Sequence, residues 1–347
     1  MAAPTLSICI STRNRAQFLG ETLDSIVGQL DSSVELVVLD GASTDGTPDL
    51  MRDYVTRYPA IRYCREKQNS GVDQDYDKVV GYARGKYCWL MTDDDVLCAD
   101  AVRHVVLALG DADLVIVNAE VRNRDFSELL QERLLPFVED RRYDARNREE
   151  FFRNCAHYMT FIGAIVIKRD AWLSRDRQTY YGTEFIHLGV IFQRPNLESI
   201  QVVCSPLITI RYGNASWGPR TFEVWGVKFP RLVWSLPDLS DEAKASATDR
   251  WPWRDMRTLF YWRAVGAYSK PSFDRFVSGE ARGLLEFAAL CISLIPGSLA
   301  SASATLYLAA FNRSDGLRIY DLLNGRYSGR TTRYLARVLG LSRLIQA

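Results

Sequence analysis

Three adjacent carboxylates, Asp93, Asp94 and Asp95, follow the apolar segment 87–91. Neighbouring carboxylates repel one another unless a cation lies between them. Hard cations such as Mg²⁺ or Mn²⁺ bind one or two carboxylates together with substrate phosphates. The triplet therefore predicts a divalent cation that bridges a diphosphate. The structural alternative is a solvated turn with an acidic N-cap for the helix that follows.

Polar residues also follow the other apolar segments of the first 110 residues. Residues 11–15 follow segment 6–10, residues 40–46 follow segment 34–39, and residues 66–75 follow segment 61–64. In a parallel sheet, ligands bind at the carboxyl ends of the strands, where Asp40 could accept hydrogen bonds from a ribose or a base. A plain Asp-Gly turn is the alternative at this position. The sequence has neither the glycine-rich dinucleotide fingerprint nor a P-loop, which argues against a dehydrogenase or a P-loop kinase.

Apolar periodicity predicts the elements that position these residues. Strands are predicted at 6–10, 34–39, 61–64, 87–91, 114–118, 161–167 and 201–211, and helices at 16–30, 47–58, 73–83 and 99–109. This alternation predicts a doubly wound, mostly parallel α/β sheet. Residues 216–347 are aromatic-rich and predicted to be mainly α-helical.

Composition limits the class of protein further. The chain has 347 residues, a net charge of +1 and 47% hydrophobic residues, which indicates an ordinary globular protein and excludes a polybasic nucleic-acid binder. Its seven cysteines are scattered and form no closely spaced pair, which favours reduced thiols in the cytoplasm. The first residues lack the pattern of a signal peptide. We therefore expect a cytoplasmic protein with no nucleic-acid partner.

The C-terminal part of the chain allows more than one interpretation. Residues 284–311 are apolar but rich in Ser and Ala and interrupted by Glu286 and Pro296, so they make a poor spanning helix. Residues 312–347 carry seven Arg and two Asp. This order suits a region that lies on an anionic membrane surface. A buried helical hairpin with a solvated basic helix, or a contact in a homo-oligomer, fits equally well.

Five motifs, in order and in spacing, resemble the family 2 glycosyltransferases of GT-A fold. They are Ser-Thr-Arg-Asn-Arg at 11–15, Asp-Gly-Ala-Ser-Thr-Asp-Gly-Thr at 40–47, Asn-Ser-Gly at 69–71, Ala-Arg-Gly at 83–85, and the triplet at 93–95. Segment 71–80 also resembles the abequosyltransferase-like branch, whose members build bacterial surface polysaccharides. The resemblance implies a GT-A domain at 1–215, with 1–110 on the donor side and 120–215 on the acceptor side.

The resemblance also implies roles for individual residues. The positions that match donor nucleotide and sugar contacts are Ser11, Arg13, Asp40, Asp73, Gln74, Asp75, Lys78 and Asp93. The triplet Asp93, Asp94 and Asp95 matches the region that binds Mn²⁺ or Mg²⁺. The family's general base is an acidic residue well after this motif, and Glu184, flanked by aromatic residues, lies in that window. Asp176 is the second candidate for the base.

Further residues near the end of the predicted acceptor side suit phosphate or sugar. Arg211 follows the last predicted strand, and an Arg fork suits the diphosphate of a donor. The residues considered for the acceptor are His187, Tyr212 and Trp217. A packed loop and a buried structural histidine are the alternatives for these positions.

Together these features predict a transferase that moves a sugar from a nucleoside-diphosphate sugar to a hydroxyl of a glycan. The acceptor is expected to be lipid-linked, at the inner face of the cell membrane, in O-antigen-like synthesis. The reaction is expected to be a metal-assisted single displacement with inversion. The alternatives are a binding module without catalysis and a sugar-phosphate nucleotidyltransferase. The latter would need a glycine-rich loop after the first strand, and residues 11–15 contain no glycine.

Overall fold

The computed structural model describes residues 3–214, 218–313 and 315–345, and it divides the chain into two compact units. The first unit comprises 1–121, 132–211 and 235–247, and the second comprises 122–131, 212–234 and 248–347. Of the predicted site residues, Tyr212 belongs to the second unit, and Trp217 lies outside the described residues. The donor and acceptor ranges of the predicted domain remain predictions.

A mixed sheet forms the centre of the first unit. In chain order the strands are β1 (Leu6–Thr12), β2 (Val34–Asp40), β3 (Ile61–Arg65), β4 (Tyr87–Met91), β5 (Val96–Leu97), β6 (Leu114–Arg122), β7 (Leu129–Gln131), β8 (Arg141–Tyr143), β9 (Ile165–Lys168) and β10 (Ile200–Arg211). The sheet order is β3-β2-β1-β4-β9-β6-β10-β5, and β8 pairs with β10. Strands β3, β2, β1 and β4 are parallel, whereas β9 runs antiparallel to β4 and β6.

Helices cover the sheet and build the C-terminal region. The first seven are α1 (Ala16–Val27), α2 (Thr47–Arg57), α3 (Val72–Tyr82), α4 (Ala101–Leu109), α5 (Arg148–Cys155), α6 (Arg169–Leu173) and α7 (Ile186–Phe192). The others are α8 (Thr221–Glu223), α9 (Phe229–Ser235), α10 (Asp241–Ala247), α11 (Met256–Val265), α12 (Lys270–Phe276), α13 (Leu284–Leu294), α14 (Gly297–Phe311), α15 (Gly316–Asn324) and α16 (Arg330–Val338). The strand and helix alternation predicted for the first 110 residues is confirmed.

The core of the first unit lies on both faces of the parallel strands. Consecutive side chains of β1 and β2, which point to opposite faces of the sheet, are fully buried; examples are Ile8, Cys9, Leu36 and Val37. A strand covered on both faces needs a continuous apolar run rather than an alternating one. These runs are the reason that sequence periodicity located the strands.

The predicted strand at 161–167 is wrong in its first half. Residues Tyr158–Thr160 and Ile162–Ala164 form 3₁₀ turns, and β9 begins only at Ile165. The Phe161 ring lies so close to Gly163 that a Cβ there would meet a ring atom at 2.3 Å. The Gly163 carbonyl accepts a hydrogen bond from the Trp89 indole at 2.8 Å. These tertiary contacts hold the segment out of the sheet.

The second unit is mainly helical, as predicted. Helix α14 packs against α11, α15 and α16, and α11 also packs against α13. Its two apolar cores include Leu259, Tyr268 and Phe273 in one and Ala304, Ile319 and Leu323 in the other. Among the described residues, no single helix is long and apolar enough to span a bilayer; α13 and α14 meet that test only as a pair, which is bent by 102° at residues 295–296.

Candidate active site

The polar residues that follow the parallel strands come together at one edge of the sheet. Thr12 at the end of β1 lies in register with Asp40 at the end of β2, and Ile10 lies in register with Met91 at the end of β4. The acidic triplet follows Met91 directly. The strand topology therefore brings together the first, second and fifth motifs of the sequence at the edge where α/β sheets bind ligands.

Asp93 and Asp94 share one cation, the guanidinium of Arg15. Arg15 Nε lies 3.4 Å from Asp93 Oδ1, and Arg15 Nη2 pairs with Asp94 Oδ2. The three side chains retain about 14–15% of their exposure, so the group is accessible at its rim. Arg15 also lies over the Phe18 ring, 4.8 Å from its centroid. One positive charge therefore offsets part of the negative charge of the two carboxylates in this arrangement.

Asp95 has a different environment from its two neighbours. It is buried, and its two oxygens accept hydrogen bonds from the Thr92 hydroxyl and from the Arg211 backbone N–H, the latter at 2.7 Å. Arg211 is itself buried, donates from Nε to the Asp94 carbonyl at 2.9 Å, and pairs with Glu21. Asp95 therefore fixes the turn after β4, and Arg211 braces that turn from β10.

Burial disfavours the ionised forms of Asp93 and Asp95. Burial and the charge of Asp94 raise the pKa of Asp93 to about 7, although Arg15 opposes the shift. Burial raises the pKa of Asp95 well above its usual range, and the charge of Asp94 adds to this shift. Additional positive charge at this position would therefore favour the ionised triplet.

The residues present fit a divalent cation that also binds phosphate. The described parts of the chain hold no group of three His, Cys, Asp or Glu side chains arranged as a complete metal site. Mg²⁺ is, however, commonly held by one or two carboxylates, with phosphate and water oxygens as the other ligands. Asp93 and Asp94 supply such a pair, whereas both oxygens of Asp95 are engaged.

Asp40 is completely buried at the end of β2. Its Oδ1 accepts the Ser43 N–H at 2.7 Å, and its Oδ2 accepts the Tyr63 hydroxyl at 2.7 Å. Arg65 Nε lies 3.5 Å from the same Oδ2. Burial and the bond to Asp40 raise the pKa of the Tyr63 hydroxyl. Asp40 thus shapes the loop at residues 40–46, and its direct contact with a nucleoside remains a prediction.

A hydrogen-bonded chain of side chains joins α3 to the segment after β3. Ser70 donates to Asp75 Oδ1 at 2.5 Å, and Lys78 Nζ contacts Ser70 Oγ at 2.9 Å and Glu66 Oε2 at 2.8 Å. Burial raises the pKa of Asp75, although Ser70 and Lys78 oppose the shift. A Cβ on Gly41 would lie 2.7 Å from Asp75 Oδ2, so the absence of a side chain at Gly41 allows the loop to approach the Asp75 carboxylate on α3.

This chain of contacts borders an open cleft of about 530 Å³. Its lining residues are Arg65, Glu66, Lys67, Gln68, Asn69, Ser70 and Lys78. The lining is polar and mixed in charge, with three basic side chains and one acidic one. Such a lining suits a polar, negatively charged ligand better than an apolar one.

Glu184 lies in a strained turn that Asp73 holds in place. Glu184 adopts φ = +70°, a region that is costly for a residue with a side chain. Buried Asp73 accepts the N–H of Glu184 at 2.9 Å through Oδ2 and the N–H of Ile186 at 3.1 Å through Oδ1. Burial raises the pKa of Asp73, and these two backbone bonds oppose the shift. Asp73 is therefore a positioning residue for Glu184.

Helix α3 connects the Glu184 turn to the triplet. Tyr76 follows Asp73 by three residues, so the two side chains lie on one face of the helix. The buried Tyr76 hydroxyl donates to the Met91 carbonyl at 3.1 Å, and the charges of Asp93, Asp94 and Asp95 contribute to a raised Tyr76 pKa, after the larger effect of burial. One helix face thus contacts both the turn and the strand end that precedes the triplet.

Asp77, on the same helix, anchors the segment that precedes Glu184. It accepts the Trp172 indole N–H at 3.0 Å and the Tyr181 hydroxyl at 2.5 Å, and it forms an ion pair with Arg177 Nε at 2.7 Å. Burial, followed by the bond to Asp77, raises the pKa of Tyr181 to about 12. This carboxylate therefore fixes residues 172–181 against α3.

The remaining predicted residues lie in varied surroundings. Buried His187 presents Nε2 to the Met159 carbonyl at 2.8 Å, and burial lowers its pKa to about 4, so it is a neutral core histidine in this conformation. Ser11 and Gln74 are half-buried, whereas Arg13 is exposed. Tyr212, in the second unit, donates to Asp321 at 3.0 Å. An acceptor role for His187 or Tyr212 remains a prediction.

Sequence reasoning missed several residues that shape this site. Arg15 was part of a quoted motif without a role of its own, although a basic residue after β1 is a natural partner for acidic residues after β4. Ser70 and Tyr76 carried no distinctive signal. The i, i+3 spacing of Asp73 and Tyr76 could have indicated that both line one face of α3.

Comparison with known proteins relates the N-terminal part of the chain to one family. Residues 7–170 match the family described as Glycosyl transferase family 2. The chain carries a family 2 glycosyltransferase domain. Abequosyltransferase RfbV of Salmonella typhimurium is 28% identical over 227 residues, which cover 61% of this chain and 68% of that protein. A PGL/p-HBAD biosynthesis glycosyltransferase of Mycobacterium bovis is 33% identical over 130 residues, or 36% of this chain and 51% of that protein.

Two solved structures share the fold. S. aureus TarS 1–349 in complex with UDP aligns with a TM-score of 0.52 and 15% identity, over 96% of this chain and 92% of that one. The mannosyltransferase PcManGT of Pyrobaculum calidifontis, in complex with GDP-Man and Mn²⁺, aligns with a TM-score of 0.53 and 15% identity. The alignment covers 93% of this chain and 86% of that one. The predicted GT-A fold with a helical C-terminal region is confirmed.

Proposed function

We propose that this glycosyltransferase moves a sugar from a nucleoside-diphosphate sugar to a hydroxyl of a lipid-linked glycan in the synthesis of a bacterial surface polysaccharide. The observation that carries the proposal is the rim-exposed pair Asp93 and Asp94, balanced by Arg15 at the carboxyl ends of β1 and β4. The similarity to an abequosyltransferase and to a mycobacterial PGL/p-HBAD biosynthesis glycosyltransferase supports a glycan or glycolipid acceptor. We place the reaction in the cytoplasm, at the inner face of the cell membrane.

The donor would lie along the strand ends, with its nucleoside near Asp40 and the polar cleft after β3. The cleft is open, and the positive charges of Lys78 and Arg65 at its border would attract a phosphate of the donor. The structural relatives crystallised with UDP and with GDP-Man, so either a uridine or a guanosine donor is consistent with the shared fold. The charge of the exposed Arg13 acts on Asp75, which supports a third basic group on the donor side beside Lys78 and Arg65.

Asp93 and Asp94 would hold a Mn²⁺ or Mg²⁺ ion together with the donor diphosphate. When bound, such an ion offsets the negative charge that develops on the departing nucleoside diphosphate. Arg15 would then exchange the carboxylates for a phosphate of the donor, a group that a guanidinium binds through two parallel hydrogen bonds. Asp95 would keep its bonds to Thr92 and Arg211 and so maintain the turn.

Glu184 would act as the general base. Its carboxylate would accept the proton of the acceptor hydroxyl while the acceptor oxygen bonds to the anomeric carbon and the bond from that carbon to the diphosphate breaks. One displacement of this kind inverts the anomeric configuration. The strained turn at Glu184, held by Asp73, supports this role because strain of this kind concentrates at functional sites.

The test is the release of nucleoside diphosphate from a panel of UDP-, GDP-, CDP- and dTDP-sugars, with and without Mn²⁺ and a chelator. We expect one donor to be consumed in a metal-dependent way. Asp94→Asn should abolish turnover, and Glu184→Gln should reduce it by roughly 10²–10⁴-fold, the usual contribution of a general base. Asp176→Asn is the matched control, because Asp176 caps the turn at Thr179 and lies in the same segment.

Two results would change the assignment. If Asp176→Asn abolished turnover and Glu184→Gln did not, the base would be Asp176. If the protein bound a nucleotide sugar tightly but consumed none under any condition, a binding module without catalysis would replace the transferase.

A further inference from the structure

We propose that the second unit docks on the surface of an anionic lipid bilayer through three neighbouring helices. The apolar outer faces of α13 and α14 would enter the interface between head groups and acyl chains, and the basic outer face of α16 would contact the lipid phosphates. This surface is called the docking face below. It consists of the exposed side chains of α13, α14 and α16.

Helix α13 exposes its apolar side along its whole length. Leu284, Phe287, Cys291 and Leu294 recur at the spacing of one helix face, and all four are exposed. The exposed fractions of the three large residues are 82%, 64% and 61%. The opposite side of the helix buries a small residue, Ala289. Leu285, Leu290 and Ile292 also pack against the apolar core, so α13 is apolar on both sides and leaves one apolar side exposed.

Helix α14 repeats this arrangement. Leu299, Leu306, Tyr307 and Phe311 are between 48% and 75% exposed, and the Tyr307 and Phe311 rings lie 5.3 Å apart. Its inner face is built largely from small residues, which are Gly297, Ala300, Ser301 and Ala304. Single exposed apolar residues are common, but groups of large exposed apolar side chains on two consecutive helices mark an interaction surface.

Helix α16 adds positive charge beside α14. Thr332 of α16 donates from its hydroxyl to Ser301 of α14 at 3.2 Å, so the two helices lie side by side. The outer face of α16 carries the exposed side chains of Arg330, Arg333 and Arg337. Tyr334 and Val338 lie on the same face and are both 66% exposed. A helix with arginines and a few apolar residues on one face is typical of segments that lie in a membrane interface.

The charge of this region favours an anionic partner. Residues 312–347 contain seven Arg and two Asp, a local net charge of +5. Both acids have partners, since Asp321 accepts the Tyr212 hydroxyl and Asp315 caps α15 at the Arg318 N–H. The excess of arginine remains when both acids are counted as charged. A large apolar surface next to an excess of arginine matches a bilayer of anionic lipid more closely than a second protein surface.

The geometry favours a helix pair that lies in the interface over one that crosses the bilayer. Helix α13 has 11 residues and α14 has 15, and a spanning helix needs about 20. The bend of 102° between them prevents the two from forming one continuous span. Both helices also keep one buried side against the rest of the unit, so only their outer faces are free for lipid.

This inference deepens the proposed function, because a lipid-linked acceptor would be reached from such a position. It does not depend on transfer activity, and its test uses no nucleotide sugar. A failure to bind lipid would leave the transferase intact, and a failure of the transferase would leave lipid binding intact.

The test is flotation of the full-length protein with vesicles of phosphatidylcholine alone and of phosphatidylcholine mixed with phosphatidylglycerol. We expect flotation with the mixed vesicles, weaker binding to the neutral ones, and a loss of binding as salt rises. The triple variant Arg330→Gln, Arg333→Gln, Arg337→Gln should lower the partition coefficient roughly a hundredfold, at about fivefold for each arginine. Phe287→Ser and Phe311→Ser should each lower it by roughly tenfold or more.

Leu107→Ser is the matched control, because Leu107 is 73% exposed on α4 in the first unit. It should leave flotation unchanged, and circular dichroism should show that all variants are folded. The proposal is refuted if the folded wild type fails to float with the mixed vesicles, or if the docking-face variants float as well as Leu107→Ser. It is also refuted if the docking face instead joins two copies, which light scattering would show as a dimer that the same variants dissociate. Resistance to alkaline carbonate would refute the interfacial arrangement in favour of insertion.

Discussion

Replacement of Asp73 by Asn should separate the positioning of Glu184 from the stability of the fold. The buried Asp73 carboxylate accepts two backbone N–H groups, those of Glu184 and Ile186, at 2.9 and 3.1 Å. An amide of the same shape has only one oxygen, and its NH₂ group would face the second N–H. The variant Asp73→Asn should therefore keep one bond and leave one buried N–H unsatisfied.

The magnitude follows from the bonds that are lost. A hydrogen bond to a charged group contributes about 1.5–3 kcal/mol, so one lost bond should lower the free energy of unfolding by about that amount. The positive φ of Glu184 is costly and persists only because the surrounding contacts maintain it. The backbone of this turn should therefore shift to a less strained conformation when one bond to Asp73 is lost. A displacement of the base by about 1 Å can lower kcat by roughly a hundredfold.

The matched control is Asp113→Asn. Asp113 also accepts two backbone N–H groups, from Glu198 at 2.8 Å and Ser199 at 3.3 Å, and it pairs with Lys168. These partners of Asp113 all lie outside the Glu184 turn. Urea unfolding and steady-state turnover of the consumed donor would be measured for both variants.

Both variants should lose a similar amount of stability, and only Asp73→Asn should lose kcat, with little change in the KM for the donor. If both lost kcat equally when compared at the same folded fraction, Asp73 would be an ordinary stabilising residue. The reasoning that links it to Glu184 would then be wrong.

Three further predictions concern buried groups. Burial lowers the pKa of His187 to about 4 in the folded protein, below its ordinary 6.5. The free energy of unfolding should therefore fall by up to about 3 kcal/mol as pH drops from 6.5 to 4. Urea unfolding of His187→Gln should show no such fall. Burial raises the pKa of Asp321 from 3.8 to about 6. The free energy of unfolding should therefore be highest at low pH and fall by up to about 3 kcal/mol as pH rises from 3.8 to 6. Asp321→Asn should remove this pH dependence and be at least as stable as the wild type at about pH 7. Gly41→Ala should displace the Asp75 carboxylate and cost about 1–3 kcal/mol of stability, measured by the same unfolding experiment. Equal stability would show that the Asp75 side chain can move away from the loop at no cost.

The sheet edge that bears the site could be predicted because its strands are apolar on both faces. Leu36, Val37 and Val38 are consecutive and fully buried, a pattern that single-sequence periodicity detects. The start of β9 could not be predicted, since the Gly163 carbonyl accepts a hydrogen bond from the Trp89 indole, which lies more than seventy residues earlier in the chain.

The site itself was predictable in its residue types and less so in its contacts. The triplet and Asp40 stood out because carboxylates directly follow buried strands. The pairing of Arg15 with Asp93 and Asp94 joins residues almost eighty positions apart, and no local rule brings them together. Asp73 lay in a predicted donor motif, yet the structure gives it a bond to the Glu184 turn, more than a hundred residues away.

The most direct test of the central claim is the thermal stability of the purified protein with UDP, GDP, CDP and dTDP, each with and without Mn²⁺. A nucleotide at 100 times its Kd should add about 2.7 kcal/mol to the free energy of unfolding. We predict a rise in melting temperature with one nucleotide that requires Mn²⁺ and is absent in Asp94→Asn. A full rise without metal, or an equal rise in Asp94→Asn, would contradict the assignment of Asp93 and Asp94 as the carboxylates that hold the metal and the donor diphosphate.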